Sequence, residues 1–213
     1  MTASRTARRK AAPTPPRRLI VGISGASGVA MGVRLLELLR EAGVETHLVM
    51  STGAQITLAH ETSFKVRAVE ALASVRYNID DIAAAISSGS FRTDGMIIVP
   101  CSMRTLAEVA SGVTTTLLTR AADVVLKERR RLVMVVRETP LHLGHLRNMA
   151  AVTEMGAVVY PPVPAFYARP QSIEEMIDHS LGRALDLFGI DLPVVRRWGV
   201  DRGPKPRRTG EDR

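Results

Sequence analysis

The sequence predicts an α/β fold: one domain built on a doubly wound, mostly parallel sheet of the Rossmann-like kind. Three observations predict it. Apolar, β-rich runs alternate with segments of helical period. The runs are apolar at nearly every position, as in strands covered on both faces. Polar or glycine-rich residues follow several runs directly, where open parallel sheets hold their ligands.

The expected strands are Leu19–Ile23, Thr46–Met50, Gly95–Val99, Leu132–Val136 and Ala157–Tyr160. The helices expected between and after them are Val29–Ala42, stopped by Gly43, then Thr116–Glu128, His142–Met155 and Ser172–Phe188. Ser172 with Glu175 three residues later reads as a capping box. No internal repeat and no Gly/Ser/Pro-rich interior linker interrupts this order. The expected layout is a basic arm over 1–17, one domain over 18–195 and a basic tail over 196–213.

The chain has 213 residues, 46% of them hydrophobic, which suits a single α/β core. Its one cysteine, Cys101, rules out a disulfide framework within the chain and points to a reducing compartment, the cytoplasm. No apolar run approaches the roughly 20 residues of a membrane span. The net charge of +8 suggests nucleic acid until it is located. Residues 1–18 hold six basic and no acidic side chains, and 196–213 hold seven basic and three acidic ones. Residues 19–195 hold 16 basic and 18 acidic ones, so the folded part offers no basic face and no specific nucleic-acid site is expected. The Arg-, Ala- and Pro-rich arm lacks a core-forming pattern and reads as disordered and solvated. A targeting peptide is also Arg-rich and acid-poor, but the prolines spoil an amphipathic helix.

The strand ends carry the chemistry. After the first strand comes Gly22-Ile23-Ser24-Gly25-Ala26-Ser27-Gly28, a tight turn whose following helix would offer free N–H groups to a phosphate. It does not match G-x-G-x-x-G. The second strand ends in Met50-Ser51-Thr52-Gly53, without the acidic residue that takes a dinucleotide ribose, so a mononucleotide is favoured. Pro100 is expected to end the third strand, before Cys101-Ser102-Met103-Arg104-Thr105 at a helix start; this array suits a phosphate or the polar edge of a ring. Cys101 has no identifiable triad partner and reads as a small buried residue. The fourth strand ends in Arg137-Glu138, a charge pair that is either functional or a structural ion pair. Pro161 to Pro164 form a rigid loop ahead of Tyr167, whose phenol could meet an anion. His142 and His145 lack the carboxylates or cysteines of a metal site, and no metal is expected. The run Lys127-Glu128-Arg129-Arg130-Arg131 reads as a solvated helix end.

Taken together, the blocks RLIVGISGASG, ETHLVMS, SSGSF, MIIVPCS, LLTRAADVVLKERR, VRETPLHLGHLRNM and PPVPAFYARPQS resemble the UbiX flavin prenyltransferases. These belong to the homo-oligomeric flavin-containing cysteine decarboxylase superfamily, with its flavoprotein fold. The likeness runs collinearly from about residue 18 to 198 and is specific as a set. It implies FMN, bound in reduced form as a substrate through Gly25, Ala26, Ser27, Ser51, Ser102, Met103, Arg104, Thr105 and Arg137. It places dimethylallyl phosphate on Lys127, Arg137, Tyr167, Arg183 and Trp198, and the catalysis on Glu61 and Glu138, for the protons, and on Lys127. It implies a homo-oligomer, in this family a dodecamer, and a UbiD-type decarboxylase as recipient of the prenylated FMN. Relatives usually carry Lys where this chain has Arg104, and the Arg-rich arm is outside the family pattern. Rival readings are a flavin-dependent decarboxylase of a cysteine-derived peptide end, a non-catalytic flavin carrier, and a nucleic-acid binder supported by the tails alone.

Overall fold

The computed structural model describes residues 17–204. Six strands form one sheet, β1 Arg18–Ile23, β2 Glu45–Met50, β3 Val75–Tyr77, β4 Gly95–Cys101, β5 Arg131–Val136 and β6 Val158–Val159. Their order is β3-β2-β1-β4-β5-β6, and every adjacent pair is parallel. The helices are α1 Val29–Glu41, α2 Thr52–Glu61, α3 Val66–Glu70, α4 Met103–Ala110, α5 Leu117–Lys127, α6 Leu143–Glu154 and α7 Ile173–Asp186.

The near-continuous apolar strands divide their side chains by parity between two cores. Leu19, Val21, Ile23, Ile97, Val99, Val133 and Val135 face the side of α1 and α7. Ile20, Met96, Ile98, Leu132, Met134 and Val136 face the side of α5. Burial on both faces is why polar alternation is missing from the sequence. Each fully buried aliphatic side chain stabilises by about 1.5–3 kcal/mol.

The sequence marks no regular structure over 52–77. Its helix α2 buries only Ala54 and Leu58, and β3 is a three-residue edge strand, so neither leaves a strong period in the sequence. Pro100 does not end the third strand. That strand runs on to Cys101, with a register shift between Ile98 and Cys101. An irregular step tolerates a residue without an N–H.

The expected boundaries also move. Arg17, assigned to the arm, donates to Asp94 at 3.2 Å and to the carbonyls of Phe188 and Gly189. Residues 196–204, assigned to the tail, are folded onto the domain: Arg197 bonds Asp186 and Asp191, and its own N–H donates to Asp201. The arm residues 1–16 and tail residues 205–213 lie outside the described residues. No described helix is long and apolar enough to cross a membrane.

Candidate functional site

The sheet order reverses between β1 and β4, and crevices open at the carboxyl ends of strands at such a switch point. Here Ser24, fully buried, ties the two strand ends together. Its Oγ donates to the Pro100 carbonyl at 3.0 Å and accepts from the Ser102 N–H at 2.8 Å. Gly25 and Gly53 face each other across the β1 and β2 ends. A Cβ on Gly25 would lie 2.9 Å from the Gly53 backbone, so only glycine lets these loops meet.

Three helices begin at this rim. Ser51 caps α2, its Oγ accepting from the Ala54 N–H at 3.1 Å. Ser102 caps α4, accepting from the Thr105 N–H at 3.2 Å and donating to Thr105 Oγ1 at 3.1 Å. These caps leave the first N–H groups of α2 and α4, including those of Met103 and Arg104, without helical partners. The start of α1 is different. Its N–H groups were expected to be free for a phosphate, but Glu61 Oε2 takes them, from Gly28 at 2.8 Å and Val29 at 3.2 Å. A carboxylate already neutralises that helix end. Burial pushes the Glu61 carboxyl up. Bonds from Ser27, Gly28 and Val29, with the nearby Arg137 charge, outweigh it and hold the pKa below the ordinary value.

Arg137 stands at the end of β5, its N–H donating to the Cys101 carbonyl at 3.1 Å. Among the described residues its side chain makes no salt bridge. It is not paired with Glu138, whose Oε1 accepts instead from the Thr139 N–H at 3.0 Å. Arg137 and Ser27 line a cleft of about 260 Å³ walled by Met31, Pro162, Pro164 and Met176. Ser180 of α7 lines it too and accepts, through its carbonyl, from the Tyr160 hydroxyl at 3.0 Å.

Tyr167 stands beyond this cleft. Its ring meets His179 and Trp198 edge-on, with centroids 5.7 and 5.6 Å away. Trp198 is 61% exposed. Arg183 lies near Tyr160 and donates to Asp186. Helix α7 therefore joins two groups, with Ser180 in the cleft and its neighbour His179 under Tyr167.

Two expected site residues stand apart in the single chain. Arg104 turns along α4 to Glu108, Nε to Oε1 2.9 Å, with its side chain 82% exposed, so it offers the rim only its backbone N–H. Lys127 ends α5 just before β5 begins, at the amino ends of the strands and so opposite the rim, and its ammonium donates to Glu128 at 2.6 Å. Cys101 is buried, and burial pushes its thiol far above the ordinary value, so it is no nucleophile. His142 caps α6, its Nδ1 accepting from Gly144. Sequence reasoning missed the cap that Glu61 forms on α1 and the apolar cleft wall, because both arise from contacts between distant segments.

A glycine cradle, helix N–H groups without helical partners and Arg137 at the switch point suit an anionic nucleotide, the ligand class that this fold and rim define. The Flavoprotein family profile matches residues 7–185. The flavin prenyltransferase UbiX of Neisseria meningitidis is 60% identical over 182 residues, covering 85% of this chain and 96% of that protein. A crystal structure of AnUbiX (PadA1) in complex with FMN and dimethylallyl pyrophosphate is 56% identical, with a TM-score of 0.85 over 86% of this chain and 97% of that one. The dodecameric FMN-dependent UbiX-like decarboxylase from Escherichia coli O157:H7 is 53% identical, with a TM-score of 0.83 over 85% and 98%. The chain belongs to the UbiX flavin prenyltransferases.

Proposed function

We propose that the protein joins the dimethylallyl group of dimethylallyl phosphate to N5 and C6 of reduced FMN, without a divalent metal. The observation that carries this reading is the family membership, over a rim whose donors suit both a flavin and a leaving phosphate. Bound reduced FMN would supply the nucleophilic N5 and C6 positions.

The chain's own residues then have distinct tasks. Gly25, Ala26, Ser27, Ser51 and the α4 start at Ser102, Met103, Arg104 and Thr105 would hold the flavin and its phosphate. Arg137, which makes no salt bridge among the described residues and lies near the Glu61 charge, would orient FMN and meet the leaving phosphate. Arg183 and the Tyr167 hydroxyl would donate to that phosphate, and charge-assisted hydrogen bonds of this kind are strong. Glu61 and Glu138 would take or hold the protons released at N5 and C6. The Trp198 π face could shelter positive charge on the allyl group, worth about 0.5–2 kcal/mol and at the low end for so exposed a ring.

Lys127 cannot serve the rim of its own subunit. In a homo-oligomer, a dodecamer in this reading, the Lys127 end of one subunit would complete the site of a neighbour. The exposed apolar residues Leu143, Leu146 and Met155 on and beside α6 support such assembly. The product would pass to a UbiD-type decarboxylase, and the setting would be the cytoplasm. Incubation with reduced FMN, dimethylallyl phosphate and a chelator tests the reading. A flavin heavier by one prenyl unit in the mass spectrum is expected, and an unchanged flavin overturns it.

A further inference from the structure

Asp186 sits between two guanidinium groups. Its Oδ2 accepts from Arg183 and, at 3.0 Å, from Arg197 Nη1, while its Oδ1 accepts from Arg197 Nη2 at 2.8 Å. Arg197 thus grips the carboxylate with both prongs, and its Nη2 also reaches Asp191 at 2.6 Å. Arg183 holds the carboxylate through one oxygen only. Arg197 is also the anchor of the C-terminal turn. Its N–H donates to Asp201 Oδ2 at 2.8 Å, and its carbonyl accepts from the N–H groups of Asp201 and Arg202. Trp198 follows directly, seated against Tyr167 and packed so closely on Gly203 that a Cβ there would come within 2.7 Å of the indole.

We propose that Arg197 is a positioning residue for Arg183: its two-pronged grip fixes Asp186, so that Arg183 can exchange Asp186 for a substrate phosphate while the turn carrying Trp198 stays seated. This rests on the reading above, in which Arg183 meets the phosphate. The Asp186 side chain is 16% exposed, and a carboxylate that far from water is costly to leave unpaired. If Arg183 were its only partner, the move to phosphate would strand that charge. The bidentate pair with Arg197 removes the obstacle. One carboxylate facing two guanidiniums also leaves a surplus of positive charge for an incoming anion, since Asp191 is largely solvated and screened. Burial pushes the Asp186 carboxyl up, but the bonds and charges of Arg197 and Arg183 outweigh it and hold it ionised.

The test uses the full FMN-loaded chain and the variants Arg197→Met and Arg197→Lys. Trp198 is the one tryptophan of the chain, so its emission reports both the seating of the turn and the binding of dimethylallyl phosphate. In Arg197→Met the Kd and KM for dimethylallyl phosphate are expected to rise about tenfold, with kcat within about threefold and FMN affinity within about twofold. Arg197→Lys is expected to recover only part of the loss, because an ammonium cannot span both carboxylate oxygens. Unchanged Kd and KM in Arg197→Met overturn the inference, as does a parallel loss of FMN affinity. Full recovery in Arg197→Lys overturns the two-pronged grip. If circular dichroism shows Arg197→Met unfolded, Arg197→Lys against wild type decides by the same Kd. Wild type that binds dimethylallyl phosphate but leaves FMN unmodified overturns the proposed function alone, and the Kd comparison still decides the role of Arg197. Wild type that binds none of it overturns both.

Discussion

Glu61 and Glu138 are both carboxylates at the rim, yet their surroundings separate them. Glu61 is fastened to the start of α1 by two backbone N–H groups, whereas Glu138 bonds only the N–H of the residue that follows it. Because the pKa of Glu61 is depressed in the folded state, its contribution is present above the unfolded carboxylate range and is lost as pH falls through the folded value. Glu61→Gln should therefore lower stability at neutral pH by about 0.5–1 kcal/mol, the range of an exposed helix cap. It should also flatten the acid limb of stability against pH, which chemical denaturation at pH 7 and at successively lower pH values would measure. An unchanged acid limb would remove Glu61 from its cap role. Glu138→Gln should leave FMN affinity intact but slow turnover about a hundredfold or more, as expected for a proton-transfer group. Full activity in single-turnover assays would reject that role.

At the scale of elements, glycine sets how closely helix and loop approach the sheet. Gly32 lies on the buried face of α1, where a Cβ would come within 2.6 Å of the Val99 carbonyl and 2.9 Å of Ile23. A helical Gly→Ala change normally stabilises by up to about 1 kcal/mol. Here backbone blocks the methyl, so overpacking of about 1–3 kcal/mol should win and the net effect should be a lower Tm. Thermal melts of Gly32→Ala would check the sign, and a raised Tm would contradict the packing geometry. The same elements explain what sequence patterns show. The central strands and α1, α5 and α7 are legible because each buries a continuous face. Helix α2 and strand β3 are not, since α2 buries two residues and β3 is a short edge strand whose Val75 and Arg76 are exposed.

For the molecule as a whole, the distribution of site residues matters more than their identity. Ser27, Arg137 and Ser180 gather in one cleft, while Lys127 lies at the opposite, amino end of the strands. If the site is completed between subunits, Lys127→Met and Arg137→Met should each be nearly inactive alone. Subunits of the two variants, unfolded and refolded together, should regain about a quarter of wild-type activity, because about that share of shared sites pairs one intact rim with one intact lysine. No regain of activity in the mixture would place Lys127 outside the reaction. Charge also sorts at this scale: the excess of basic residues lies toward the chain ends, and the domain between them is close to neutral.

The layered α/β architecture, the family and the residues that crowd the strand ends are all legible in the chain of amino acids, because periodicity and motif order are local and survive in a one-dimensional record. Folding alone brings Glu61 to the start of α1, turns Arg104 away to Glu108 and lets Arg197 share Asp186 with Arg183. Each of these depends on where a long or charged side chain finds its partner. That is settled by packing between elements, and the spacing of residues along the chain does not encode it.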